Sequence, residues 1–184
     1  SSPRDLPVNG TINGATWVQG PTAKILSFDG GDNVDVGSSI TFANSDFTVG
    51  LWCTPSAVGG YLVSKSNQFS IQLLADGVLR FNFYDSGGQH TFDSDAGAVT
   101  LNEKSFVMYT YDGSELKLYV NGVLAKTFSQ TDRLTASSAS ILFGDGYSGS
   151  IQEVMFWQRA LNIKEVEELY FFPAFRVVAP DRNT

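Results

Sequence analysis

The sequence predicts an all-β sandwich of two antiparallel sheets with one short helix near its C-terminal end. Three observations predict it. Short runs alternate apolar and polar residues, glycine-containing turn pairs separate those runs, and helical spacing occurs in one stretch only, near the C-terminal end. Many short strands with turn chemistry at each break are the pattern of two packed sheets.

The elements follow in order. "ILSFDGGDNVDVG" (25–37) places Asp29, Asp32 and Asp35 three apart between apolar runs, with a Gly-Gly pair inside. In "FTVGLWC" (47–53), Phe47, Val49, Leu51 and Cys53 take one face, and Thr48, Gly50 and Trp52 the other. "FSIQLLADGVLRFNFY" (69–84) reads as strand, two-residue Asp76-Gly77 turn, strand: Phe69, Ile71 and Leu73 alternate before it, Leu79, Phe81 and Phe83 after it. "FVMYTYDGSELKLYVNGVLAKTF" (106–128) has turns at Asp112-Gly113 and Asn121-Gly122, so three strands form a meander. "SILFGDGYSGSIQEVMFWQ" (140–158) supplies two more strands, with Gly144, Gly146 and Gly149 between them.

The helix lies in "ALNIKEVEELYFF", where Ile163, Val166, Leu169 and Tyr170 share a face. Asn162 is its cap, Glu165 stands three residues on, and Pro173 ends it. "AFRVVAP" (174–180) is expected to be a tail or edge strand, and "DRNT" to fray. Residues 1–184 form one domain, with a core over about 16–170 and a tail over 171–184. No internal repeat or linker divides it.

Composition narrows the function. The net charge of -7 disfavours nucleic acid and anionic membrane surfaces. No run reaches transmembrane length. The opening "SSPRDLP" reads as an excised end, so a missing signal peptide carries no weight. Cys53 is alone, which rules out an internal disulfide and leaves it a small buried residue. A catalytic triad would have to use His90, and no nucleophile elbow precedes a helix. Histidine- and cysteine-based zinc sites fail by count. Glycosidase chemistry needs two acids on one strand face, whereas Asp93 and Asp95 in "FDSDAG" read as loop.

Two binding chemistries remain. Calcium takes carboxylate and carbonyl oxygens from a flexible loop, as "FDGGDN" offers with Asp29 and Asp32. The plainer reading is an acidic turn whose side chains bond their own backbone. Sugars stack on aromatic rings and bond to Asn, Asp and Gln. The loop-like candidates for that role are Tyr61, Tyr84, His90 and Tyr147, and Trp52 and Trp157 read as strand residues.

"LSFDGGDNVDVG", "FTVGLWCTP", "YLVSKS", "FVMYTYDGSELKLYVNGVL" and "ILFGDGYSGSIQEVMFWQRALNIKEVEELY" occur in this order. The series, from about Leu26 to Tyr170, resembles the laminin-G-like domains of the concanavalin A-like lectin/glucanase superfamily. The resemblance implies a jelly-roll sandwich with curved sheets. It also implies a non-catalytic carbohydrate-binding, adhesion or recognition module that works outside the cell, on its surface or on a virion. It implies a structural calcium on Asp29, Gly31, Asp32 and Glu153, although Gln152 stands where the family pattern has an acid. The implied partners are a glycan or a surface protein. A further reading is a structural or assembly protein, such as a virion decoration component or a homo-oligomer. It rests on the apolar "YFFPAFRVV", with Phe171, Phe172, Phe175 and Val177. A glycosidase is the remaining alternative.

Overall fold

The computed structural model describes residues 10–20 and 24–171. Its first strands are β1 (Thr11–Asn13), β2 (Thr16–Gln19), β3 (Lys24–Asp29), β4 (Asn33–Asp35), β5 (Phe47–Pro55), β6 (Tyr61–Lys65) and β7 (Phe69–Leu73). They are followed by β8 (Leu79–Asp85), β9 (Gly88–Asp93), β10 (Ser105–Tyr111), β11 (Glu115–Val120), β12 (Val123–Ser129), β13 (Ile141–Phe143), β14 (Ser148–Trp157) and helix α1 (Ile163–Phe171). Two seven-stranded sheets result, ordered β1-β4-β13-β6-β7-β8-β9 and β12-β11-β10-β5-β14-β3-β2. All the pairings are antiparallel, as a jelly-roll sandwich requires.

Alternation decides which side chains meet between the sheets. Phe47, Val49, Leu51 and Cys53 of β5 face Phe69, Ile71, Phe81 and Phe83 of the other sheet in one buried core. Phe81 lies 4.8 Å from the Tyr109 ring and 5.9 Å from Phe47, centroid to centroid. Burial pushes the Cys53 thiol pKa up to about 12, so it behaves as a small apolar residue.

The second face of β5 is covered as well. Trp52 packs with Phe106, Met108, Tyr119 and Val166 beneath α1, and its ring stacks on Tyr170 at 5.6 Å. The capping box forms: Asn162 Oδ1 accepts from the Lys164 and Glu165 amides, and Glu165 accepts from the Asn162 amide at 2.9 Å. Arg159 grips the same Glu165 carboxylate through two nitrogens.

The turns agree with the sequence, with differences. Asn121 and Gly122, with φ of 51° and 78°, close a two-residue hairpin between paired Val120 and Val123. Asp76 and Gly77 also have positive φ, yet the β7–β8 loop is one residue longer, a single helical turn over Ala75–Gly77. The Leu74 amide donates to the Val78 carbonyl and closes it. Gly149 lies inside β14, and β13 and β14 sit in different sheets. Pro173, the 174–180 strand and the rest of the expected tail fall outside the described residues. Among the described residues, no helix is long and apolar enough to cross a membrane.

Removing the cap tests the helix assignment. Asn162→Ala is expected to cost about 1 kcal/mol, read as a lower midpoint in urea unfolding. An unchanged midpoint would show that packing on Trp52 alone holds α1.

Candidate functional site

The same alternation that fills the core turns a polar set outward on the first sheet. Ser64, Ser70 and Asn82 stand level on β6, β7 and β8, one residue out of phase with buried Phe69 and Phe83. Beside them opens a cavity of about 430 Å³. Tyr61, Tyr84, Ser64, Ser70, Ser140, Asp35 and Asp145 line it, with Lys65, Ser66, Phe69, Ala139 and Leu142. Tyr61 stands level with Gln72 and Arg80, and Tyr84 lies four residues past Arg80 on β8. The two tyrosines are therefore offset by about 13 Å along the strands and about 10 Å across them. An occupant reaching both rings runs diagonally over several strands.

Two features make the walls rigid. Lys65 is 1% exposed. Its Nζ donates to the carbonyls of Ser38, Ile40 and Ala139, at 3.2, 2.9 and 2.8 Å. An ammonium has three protons, so all its donors are used. Burial pushes its pKa below the usual lysine range. At the other end, a Cβ on Gly60 would lie 2.3 Å from backbone atoms of Gly146, and its φ is +74°. Glycine is needed there so that the Tyr61 amide can donate to the Asp145 carbonyl at 2.8 Å.

A short hydrogen-bond ladder crosses the outer face. Gln89 Nε2 donates to Asn82 Oδ1 at 2.9 Å, and Asn82 Nδ2 donates to Ser70 Oγ at 2.8 Å. Ser70 accepts there, which leaves its own hydroxyl proton available to a ligand. Farther out on the same face, Arg80 holds Asp93 with two bonds of 2.7 Å.

The residues named from sequence scatter. Tyr61 and Tyr84 share the cavity. Tyr147 does not: it is wholly buried, edge-on to Phe28, with its hydroxyl on the Ser150 carbonyl, because its place in the turn aims the ring inward. His90 lies within β9, not in a loop, and its Nε2 is 3.0 Å from Asp85 Oδ2. Asp29, Gly31 and Asp32 do form one turn. The Gly31 amide donates to Asp29 Oδ1 at 2.9 Å and the Asp29 amide to Asp32 Oδ2 at 3.0 Å, the plain acidic turn.

Glu153 is not brought to that turn. Ser148 is the partner of Asp29, and Glu153 lies five residues farther along β14, about 16 Å away. Glu153 instead occupies a bulge, where the register shifts between Gln152 and Met155, at φ 53°. The four residues therefore do not fit calcium as one set. Among the described residues no three acidic, histidine or cysteine side chains stand together as a metal site. Asp145, Ser64, Ser70 and Lys65 are not among the residues the sequence singles out, and Asp35 stands there only as the third aspartate of the 25–37 stretch. The signal available was the polar alternation Ser70-Gln72 and Arg80-Asn82-Tyr84, which marks one outward face.

Known proteins share this architecture. A family model described as the concanavalin A-like lectin/glucanases superfamily, of laminin-G type, matches residues 28–167. The binding domain of Paraclostridial Mosquitocidal Protein 1 superposes with a TM-score of 0.77 at 21% identity, over 89% of this chain and 47% of that one. Domain 4 of AbnA, an extracellular GH43 arabinanase from Geobacillus stearothermophilus solved with arabinotriose, gives 0.70 at 20% identity, over 88% and 87%. The binding domain of botulinum neurotoxin serotype G gives 0.74 at 15% identity, over 90% and 46%. The chain thus spans about half the length of the two toxin domains. No curated protein matches it.

Two measurements check the local chemistry. Burial raises the Asp85 pKa, but bonds from the Gly87 amide, Gln130 and His90 outweigh it and hold the carboxyl below the usual range. A depressed carboxyl stabilises the fold above its unfolded pKa and loses that contribution as pH falls through its folded value. Asp85→Asn is therefore expected to melt lower than wild type at pH 7, with the gap closing in strong acid. Glu153→Gly is expected to relieve the left-handed backbone and raise stability by up to about 1 kcal/mol. A loss instead would show that the carboxylate makes a bond worth more than the strain.

Proposed function

The chain belongs to the concanavalin A-like lectin/glucanase superfamily, and we propose that it is a non-catalytic carbohydrate-binding module that holds a glycan chain on the outer face of the β6–β8 sheet. The observation that carries this reading is the cavity of about 430 Å³ lined by two tyrosines and by Ser64 and Ser70, with Asp35 and Asp145 on its β4–β13 side. Tyrosine rings stack on the apolar faces of sugars, and the polar groups of the lining bond hydroxyls in fixed directions. Asp35 and Asp145 accept hydroxyl protons and Ser70 donates one. The diagonal offset of the rings suits an oligosaccharide better than a single sugar.

The arabinotriose complex of the AbnA domain supports the reading, as does the likeness to the binding domains of two toxins. The extracellular setting of that arabinanase supports a place outside the cell. One observation favours a second role in assembly. Val123 and Phe171 are 67% and 66% exposed, and Tyr170, next to Phe171, packs on Gly122, next to Val123. Two exposed apolar side chains therefore flank that contact and suit a protein neighbour.

Binding to a neutral glycan array tests the first role. Tyr61→Ala and Tyr84→Ala are each expected to weaken binding of the best glycan about tenfold or more, with an unchanged melting midpoint. Full binding by both variants would place the site elsewhere.

A further inference from the structure

We propose that this cavity selects uncharged glycan chains and rejects acidic ones such as sialylated, uronic or sulfated glycans. The inference rests on the carbohydrate-binding reading and adds its ligand class. Anionic sugars are held by free guanidinium or ammonium groups that aim protons at a carboxylate or sulfate. Among the described residues the cavity offers none. Lys65 is the one basic lining side chain among the described residues, and it is buried beneath the surface with its three protons on main-chain carbonyls. Arg80, on the same face, is clamped by both oxygens of Asp93.

What the cavity does present is negative. Asp35 and Asp145 both line it, so the charges around it sum to one negative with Lys65 counted. The Asp35 carboxylate is held in place by the Gly37 amide on Oδ1, at 2.7 Å. Asp145 is fixed beside Tyr61 through its carbonyl. A carboxylate accepts protons from the hydroxyls of a neutral sugar and has none to give to another anion. Like charges in a partly enclosed site repel more strongly than in open water. The net charge of -7 on the whole chain acts in the same direction at longer range.

Calorimetric titration of the full chain decides the matter. The probes are the neutral oligosaccharides that bind best on an array and the same backbones carrying sialic acid or sulfate. The neutral form is expected to bind about tenfold or more tightly than its acidic counterpart. The gap should narrow at high salt, and narrow further in Asp35→Asn with Asp145→Asn. Asparagine keeps the oxygen that Gly37 bonds, and a melting curve confirms that the double variant folds. The Asp145→Asn single variant gives a second reading of the same gap. Equal or tighter binding of the acidic forms overturns the charge rule while leaving the glycan site in place. No binding of either form overturns both.

Discussion

Phenylalanine and tyrosine rings locked between two sheets are the constraint from which the rest of this molecule follows. Phe47, Phe69, Phe81, Phe83 and Tyr109 come from both sheets and exclude water between them. Each buried ring is worth about 1.5–3 kcal/mol, and a strand's side chains alternate, so the core also dictates what faces outward. A slip of one residue in β7 would put Ser70 inside and Phe69 in water, and one in β8 would put Asn82 inside and Phe81 and Phe83 in water. The register that buries the rings is the register that builds the polar face.

The two outer faces then diverge. On the β5 sheet the outward residues Trp52, Phe106 and Met108 are apolar, and α1 covers them. On the β6–β8 sheet they are mostly polar, with Tyr61 and Tyr84 among them, and no helix lies over them among the described residues. Hydroxyls left there without a protein partner find water or a ligand. A surface with ordered donors and acceptors and two aromatic rings on a diagonal holds a polyhydroxy chain better than a flat protein face does.

Lys65 shows how the wall beside that surface is kept in place. A buried ammonium with no carboxylate beside it is costly. Three carbonyls from two separate segments offset that cost and are themselves satisfied. The lysine ties the chain before β5 to the chain before β13, and so sets the position of Asp35, Ser140 and Leu142 around the opening. Its charge is used up in architecture, and the cavity is left with its carboxylates.

By itself the sequence determined the local pieces, because they depend on neighbours within a few residues. Alternation marked β5, β7, β8 and the meander; Asn121-Gly122 and the Asn162–Glu165 box formed as their backbone chemistry requires. Tyr61 and Tyr84 stood out in the sequence as loop-like rings, but both lie on strands, β6 and β8. Tertiary structure alone decided where remote pieces met. It sent β13 and β14 to opposite sheets, turned Tyr147 into the core, and left Glu153 five residues along β14 from the partner of Asp29. It also gathered Asp35, Ser70 and Asp145 around one opening from three distant stretches. Strand order and register are set by the summed burial of the whole core, a long-range quantity that no window of sequence contains.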